Sequence, residues 1–298
     1  MNIHTNSFPN AAPLVSVLIT CYNREAYIGN AIQSVLNSTF TNFELIIVDD
    51  GSKDASVAIS KSYEEKDKRV KVYQNEVNLG DYPNRNKAAS YAKGKYIKYV
   101  DADDYLYPHG LEQMLLYMEP YHDVAIGIFG LTQDNKQPFP LRLEPKDAFR
   151  RHYIDGIFTF GVAPLSTIIR RDIFEAEHGF SSQRMVGDFE CWIRLSAKYP
   201  IAILPVLGCW YRKHDAQEIN HVIKFLGDYH RIAKHAFEIA KDKNFISDVE
   251  FKMINKLTDK KFGRMMGSVL IKNGDYKSYK HNMKTSGENI LNLVKSLF

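Results

Sequence analysis

Asp101, Asp103 and Asp104 place three carboxylates within four residues, directly after the run Lys95-Tyr96-Ile97-Lys98-Tyr99-Val100. Acids so close repel one another unless something positive sits among them. Two carboxylates separated by one residue, here Ala102, at the end of a strand suit a hard divalent cation that keeps positions open for phosphate oxygens. The competing reading is a solvated acidic turn. A second acidic pair stands in Asp49-Asp50-Gly51-Ser52. A carboxylate in such a loop can accept from a nucleobase imide or a ribose hydroxyl, as acids do in dinucleotide-binding folds; an ordinary turn with a helix cap is the alternative. Thr20-Cys21-Tyr22-Asn23 adds an aromatic face and an amide. Arg85 offers a planar charged fork suited to phosphate, or one half of a surface ion pair.

These groups need a frame. Val15–Thr20 reads as a buried strand, and Ile28, Ile32, Val35 and Leu36 follow at helical spacing. A second buried strand covers 43–48 and runs into the Asp49 turn. Asp54 is placed to cap a helix from about Ala55. A third strand covers 70–73. A helix is expected over 84–92, with Gly94 as its C-cap. The acidic strand follows, and then a helix from Pro108 to about Glu119. Strand alternating with helix four times predicts a parallel sheet covered on both faces, with ligands at the carboxyl edge.

Beyond this the pattern loosens. Residues 124–129 and 166–170 read as strands and 188–199 as a helix. The stretch 132–145 carries three prolines and reads as a loop over the sheet. Residues 201–210 read as extended around Pro205. From about Gln217 the composition is helical, with breaks near 244–247 and 273–274.

Totals exclude several classes. The chain has 298 residues, 45% hydrophobic and 25% charged, which is ordinary for a soluble globular protein. Three scattered cysteines form no disulfide framework and no zinc pattern, as expected in a reducing compartment. Residues 1–13 lack a signal-peptide layout, and no apolar run approaches the length of about 18 residues needed to span a bilayer. A cytoplasmic protein is expected, working at most at the inner face of a membrane. Residues 216–298 hold 15 Lys and Arg against 9 Asp and Glu, whereas the rest of the chain holds 24 against 26. The tail is therefore basic, and nucleic acid is not among the expected partners.

Together the motifs resemble the family 2 inverting glycosyltransferases of GT-A fold. The resemblance rests on Ser16 to Asn23, Val48-Asp49-Asp50-Gly51-Ser52, Asn78-x-Gly80-x4-Arg85-Asn86 and Asp101-Ala102-Asp103-Asp104, in that order and spacing. It is dense over 14–120. Gly187-Asp188-Phe189-Glu190-Cys191-Trp192 resembles the family's acidic motif, and Tyr211-Arg212-x-His214 its closing segment. The resemblance implies a Rossmann-like α/β domain with a mostly parallel central sheet flanked by helices, over 14–215. Residues 14–120 would be its nucleotide-sugar half and 121–215 its acceptor half, with an arm at 1–13 and a helical extension over 216–298.

Site roles follow from the same resemblance. Thr20, Tyr22, Asn23 and Asp50 would hold the nucleotide, with Asp49 near the ribose and Arg85 beside the phosphates. Asp101 and Asp103, with Asp104 sharing the site, would bind Mn²⁺ or Mg²⁺ across Ala102. Asp188 would be the general base. The family often has Glu-Asp where this chain has Gly187-Asp188, so Glu190 stays open as the alternative, although on an ideal helix it points roughly 200° away. His214 is a candidate for the metal or the phosphates. Trp192 and Trp210 read as core.

The reaction implied is transfer from a nucleoside-diphosphate sugar, UDP first, to a hydroxyl of a glycan or lipid-linked acceptor. Three rivals stand beside it: an Asp-x-Asp phosphohydrolase, a nucleotidyltransferase, and a sugar-nucleotide-binding module without catalysis. The basic, apolar-ended tail could lie on an anionic membrane, or pack on the catalytic domain or on another subunit.

Overall fold

The computed structural model describes residues 12–130, 137–215, 217–271 and 274–289. They fall into two compact units. The first, Met1–Glu144 with Gly161–Arg212, contains β1 (Val15–Cys21), α1 (Ile28–Leu36), β2 (Phe43–Asp49), α2 (Ser56–Glu64), β3 (Val70–Gln74), α3 (Asp81–Ala89), β4 (Tyr96–Tyr99), β5 (Tyr105–Leu106), α4 (Gly110–Met118), β6 (Ile126–Ile128) and β7 (Leu141–Leu143). After α5 (Pro145–Tyr153), which belongs to the second unit, it resumes with β8 (Thr167–Arg170), α6 (Arg171–Ala176), α7 (Gly187–Ser196), β9 (Ile201–Ile203) and β10 (Cys209–Trp210). The main sheet runs β3-β2-β1-β4-β8-β6-β9-β7, and β5 pairs with β10 in a separate ribbon.

The strands β3, β2, β1 and β4 are parallel, as their alternation with helices predicts. β1 and β4 are buried on both faces, so β1 reads as a nearly continuous hydrophobic run, while β4 carries Lys98 among buried Tyr and Ile. The second half of the sheet is mixed: β8 lies antiparallel between β4 and β6, and β7 closes the edge antiparallel to β9. The core gathers Val17, Ile19, Ile32, Leu45, Ile47, Val100, Leu115 and Ile168, all fully buried.

Several local expectations shift. α3 starts at Asp81 and ends at Ala89, so Gly94 is no helix cap. Its role is close packing: a Cβ at Gly94 would lie 2.5 Å from the Ser16 backbone nitrogen. The 132–145 stretch is only partly a loop. Residues 131–136 lie outside the description, but Leu141–Leu143 adds an edge strand that its short length and neighbouring prolines concealed. α5 was hidden because Pro145, at its first position, reads equally as a loop residue.

The second unit comprises Pro145–Phe160 and Lys213–Phe298. It holds α5, α8 (Leu226–Asp242), α9 (Asp248–Ile271) and α10 (Tyr276–Ser286), with breaks where the sequence places them. This unit therefore joins the C-terminal helices to α5 from the middle of the chain. Aromatic packing supplies the reason. Tyr153 meets Phe237 edge-on at 4.9 Å, Phe149 packs against Phe160 and Phe245, and Arg150 pairs with Glu250 at 2.8 Å. Among the described residues no helix is long and apolar enough to cross a membrane. The apolar end of the tail, from Ile290, lies outside the described residues.

Candidate active site

The carboxyl ends of β1, β2 and β4 lie side by side, since β1 pairs with both others in parallel register. Their loops carry the residues singled out from sequence. Thr20 is half-buried in β1, opposite Val48, and Tyr22 is 45% exposed just beyond the strand end. Asn23 latches this loop to the next: its N–H donates to Ser52 Oγ at 2.8 Å, and its Oδ1 accepts from Lys53 N–H at 2.9 Å.

Asp49 and Asp50 are almost fully buried. Asp49 Oδ1 accepts the N–H groups of Gly51 and Ser52, and Oδ2 takes the Ser52 hydroxyl. The carboxylate thereby folds its own turn. Asp50 reaches across to the loop after β3, accepting from Asn75 Nδ2 at 2.8 Å, Leu79 N–H at 2.8 Å and Gly80 N–H at 2.9 Å. Its negative charge gathers the donors that lead into α3.

α3 explains the Asn78-x-Gly80-x4-Arg85-Asn86 spacing. Arg85, buried and bonded to Asp81 at 2.8 Å, donates Nη2 to Asp101 at 2.6 Å. Burial alone would pull its guanidinium down, but Asp101 and Asp81 outweigh that and hold it well above its ordinary value. Its Nη1 is buried with no partner among the described residues, leaving a charged donor for which a phosphate oxygen is a chemically suitable acceptor. Asn86 exchanges two bonds with the Phe180 backbone, tying α3 to the segment before α7.

The three acids after β4 do not share one environment. Asp101 leans on Arg85, while Asp103 accepts from Arg24 Nε at 3.1 Å. Both stay partly exposed, with side-chain accessibilities of 22% and 13%. Ala102, buried between them, fills core. Asp104, expected to share the metal, is 1% exposed, and its Oδ1 accepts the Arg212 N–H at 2.8 Å. Burial, joined by the charge of Asp101, pushes its carboxyl up to about 7. A hard cation fits the accessible pair best: Asp101 and Asp103 are all-oxygen donors, and the arginines beside them show that the acids there draw positive charge.

Arg24 and Lys98 were not singled out in the sequence, and Arg212 only as part of Tyr211-Arg212-x-His214. Arg212 also donates Nε to the Asp103 carbonyl, and its guanidinium lies 4.8 Å from the Trp210 ring and 5.2 Å from that of Tyr27. Trp210 is therefore no core residue; it is 44% exposed and paired across the ribbon with Tyr105. Lys98 is fully buried in β4, donating to the Tyr99 and Leu165 carbonyls, with its pKa lowered by burial. An ammonium at an inward strand position was its only sequence signal.

Asp188 sits in the first turn of α7, inside the helix rather than at its cap. Burial raises its carboxyl to about 6, against hydrogen bonds from the Phe189 N–H at 2.7 Å and from Tyr82. Tyr82 stands on α3, and its ring occupies the space beside Gly187: a Cβ there would lie 2.7 Å from Cδ2 of that ring. Glycine at position 187 thus makes room for the Tyr82 ring and for the Ser181 carbonyl, which would lie 2.8 Å from that Cβ. Glu190 faces elsewhere. It accepts from Arg194 Nε and Nη2; Nη2 also donates to the Gly179 carbonyl, and Nη1 to that of Glu177. α3 consequently contacts Asp101 through Arg85 and Asp188 through Tyr82.

His214 belongs to the second unit, where its N–H donates to Gln217 at 3.1 Å. The thiols of Cys21, Cys191 and Cys209 are all pushed up by burial, Cys21 to about 12, which suits packing residues rather than nucleophiles. A cluster of His230, Asp259 and Glu288 lies within the second unit, but Lys234 Nζ already stands 2.9 Å from Asp259.

The chain is similar to known proteins in sequence and fold. The glycosyl transferase family 2 model matches residues 16–177. A putative glycosyltransferase of Bacillus subtilis, EpsH, is 36% identical over 173 residues, 55% of this chain and 49% of its own length. The glycosyltransferase GlyG of Streptococcus pneumoniae is 36% identical over 188 residues, 59% of this chain and 62% of its own. The chain spans about half the length of the curated relatives it matches. Among solved structures, S. aureus TarS in complex with UDP-GlcNAc superimposes with a TM-score of 0.59 at 17% identity, covering 93% of each chain. The mannosyltransferase PcManGT of Pyrobaculum calidifontis, in complex with GDP-Man and Mn²⁺, gives 0.61 at 15% identity, covering 97% of this chain and 88% of its own. These two establish a shared GT-A fold, and the family model, which spans more than half of the sequence, establishes the lineage: the chain belongs to glycosyl transferase family 2.

Proposed function

We propose that this protein transfers a sugar from a nucleoside diphosphate, UDP foremost, to a hydroxyl of a glycan or lipid-linked acceptor, with inversion at the anomeric carbon. The observation that carries the proposal is the α3 linkage. One helix touches both the accessible acidic pair, through Arg85 and Asp101, and the raised carboxyl of Asp188, through Tyr82. A general base with a pKa near working pH is what deprotonation of a sugar hydroxyl needs. The bound states of TarS and PcManGT, with UDP-GlcNAc and with GDP-Man and Mn²⁺, support a sugar-nucleotide donor and a divalent ion.

In the reaction, Tyr22 offers its face to the nucleobase, while Asp50 keeps the surrounding loop in shape. Asp101 and Asp103 would hold Mn²⁺ or Mg²⁺, which supplies positive charge to the diphosphate. As the glycosidic bond breaks, its electron pair leaves with the β-phosphate oxygen, and Arg85 and Arg24 stabilise the growing charge. The acceptor oxygen attacks the opposite face of the anomeric carbon as Asp188 takes its proton. Glu190 is the weaker candidate for base, since Arg194 neutralises it. No thiol nucleophile is required.

The test is release of nucleoside diphosphate from a panel of sugar nucleotides with Mn²⁺. One donor should be turned over, and the Asp103→Ala protein should not turn it over. Inorganic phosphate from simple aryl phosphates would instead establish a phosphohydrolase, and pyrophosphate a nucleotidyltransferase. Tight donor binding without turnover, in wild type and in Asp188→Asn alike, would establish a binding module.

A further inference from the structure

α9 has two faces of different character. Ile254, Phe262, Met266 and Val269 are buried within the second unit. On the opposite side Val249, Met253 and Leu257 stand at four-residue steps, 77%, 45% and 58% exposed. Advancing about 100° per residue brings Lys260 and Arg264 onto the same stripe, with Lys252 and Lys256 on one flank and Lys261 on the other. The acids of this helix are engaged with other cations: Glu250 with Arg150 at 2.8 Å, Asp259 with Lys234 at 2.9 Å, and Asp248 with Lys241 at 3.5 Å. The five cations of the outer face have no ion pair among the described residues.

A helix face that merely meets water gains nothing from three exposed aliphatic or thioether side chains in line. Apolar groups interleaved with unpaired cations match an anionic lipid interface, where the first enter the acyl boundary and the second meet phosphates. A second copy of this chain fits poorly, because a two-fold contact through the stripe would set two rows of like charge against each other. We infer that the outer face of α9 docks on an anionic membrane surface, with Val249, Met253 and Leu257 inserted and Lys252, Lys256, Lys260, Lys261 and Arg264 on the headgroups. This is independent of the reaction proposed above.

The full-length protein would be sedimented with vesicles of phosphatidylcholine and phosphatidylglycerol in equal parts, and with phosphatidylcholine alone. It should bind the first and not the second, and added salt should release it. Lys256→Glu/Lys260→Glu and Val249→Ser/Leu257→Ser should each lower the partition coefficient by about tenfold or more. Val249, Lys256 and Leu257 are exposed and Lys260 is half-buried, none of them on the buried face of α9, so the melting curves and donor hydrolysis of both variants in solution should match wild type. A catalytically dead protein that still binds vesicles would therefore leave this inference standing. Absence of binding to the anionic vesicles, or equal binding by wild type and both variants, would overturn it. So would a dimer in light scattering that these substitutions split, which would make the stripe a contact between copies.

Discussion

Two strand ends in this molecule carry adjacent acids, and they handle negative charge in opposite ways. After β2, Asp49 and Asp50 are buried and satisfied by backbone N–H groups and a side-chain amide, so their charge is used to shape loops. After β4, Asp101 and Asp103 stay partly exposed and lean on arginines, so their charge is available to a ligand. Residue type is the same; the partners differ. A buried carboxylate ringed by N–H donors shapes the scaffold, whereas a partly exposed one keeps oxygens within reach of a ligand.

Substitutions can break that contrast. The largest effect is expected from Asp188→Asn, which removes the proton acceptor and should lower kcat by about 10²–10⁴-fold with little change in melting temperature. Glu190→Gln should leave kcat within a few fold; an equal or greater loss there would transfer the base to Glu190. Asp103→Ala should follow closely, lowering donor turnover by about 10²–10³-fold while leaving the fold intact. Asp50→Ala should behave in the opposite sense. Removing this acceptor strands three donors, costs about 3 kcal/mol and lowers the melting temperature by roughly 6–12 °C. If Asp50→Ala melts like wild type, the two acidic ends are not distinct in the way proposed.

The pH dependence gives a finer test. Burial places Asp188 at about 6, and the base works only when ionised. Turnover should therefore rise about tenfold per pH unit below 6 and level off above it. Tyr82→Phe removes a hydrogen bond that favours the ionised form, so the rising limb should move to higher pH. A profile that drops uniformly without moving would reduce Tyr82 to a packing role. The smallest expected change belongs to Gly187→Ala. Its new Cβ meets both the Tyr82 ring and the Ser181 carbonyl, costs about 1–3 kcal/mol if they cannot yield, and should be relieved only in part in the Tyr82→Ala background.

Much of the first half was legible because its physics is local. Buried parallel strands show as runs such as Val15-Ser16-Val17-Leu18-Ile19, and the acids at their ends stand out against them. The second half was harder. β6, β8 and β9 were legible as strands, but the two residues of β5 leave too little pattern to read, and both β7 and α5 lie close to prolines that suggest loop. Within the candidate site, Asp101, Asp103 and Arg85 were visible by type and spacing, and Asp188 and Arg212 through the family resemblance. Arg24 was not visible, since it is an ordinary charged residue until the chain brings it beside Asp103.

The sequence by itself determined the strand-helix alternation, the carboxyl-edge acids and the lineage, because each depends on residue order over a few dozen positions. Tertiary structure alone decided which of the acids support the scaffold. Asp50 differs from Asp103 only through neighbours 25 to 79 residues distant in the chain. It also decided why position 187 is glycine, since only the packing of α3 against α7 puts the Tyr82 ring there. Burial and hydrogen-bond partners are properties of the folded neighbourhood, and they fix what a carboxylate can do.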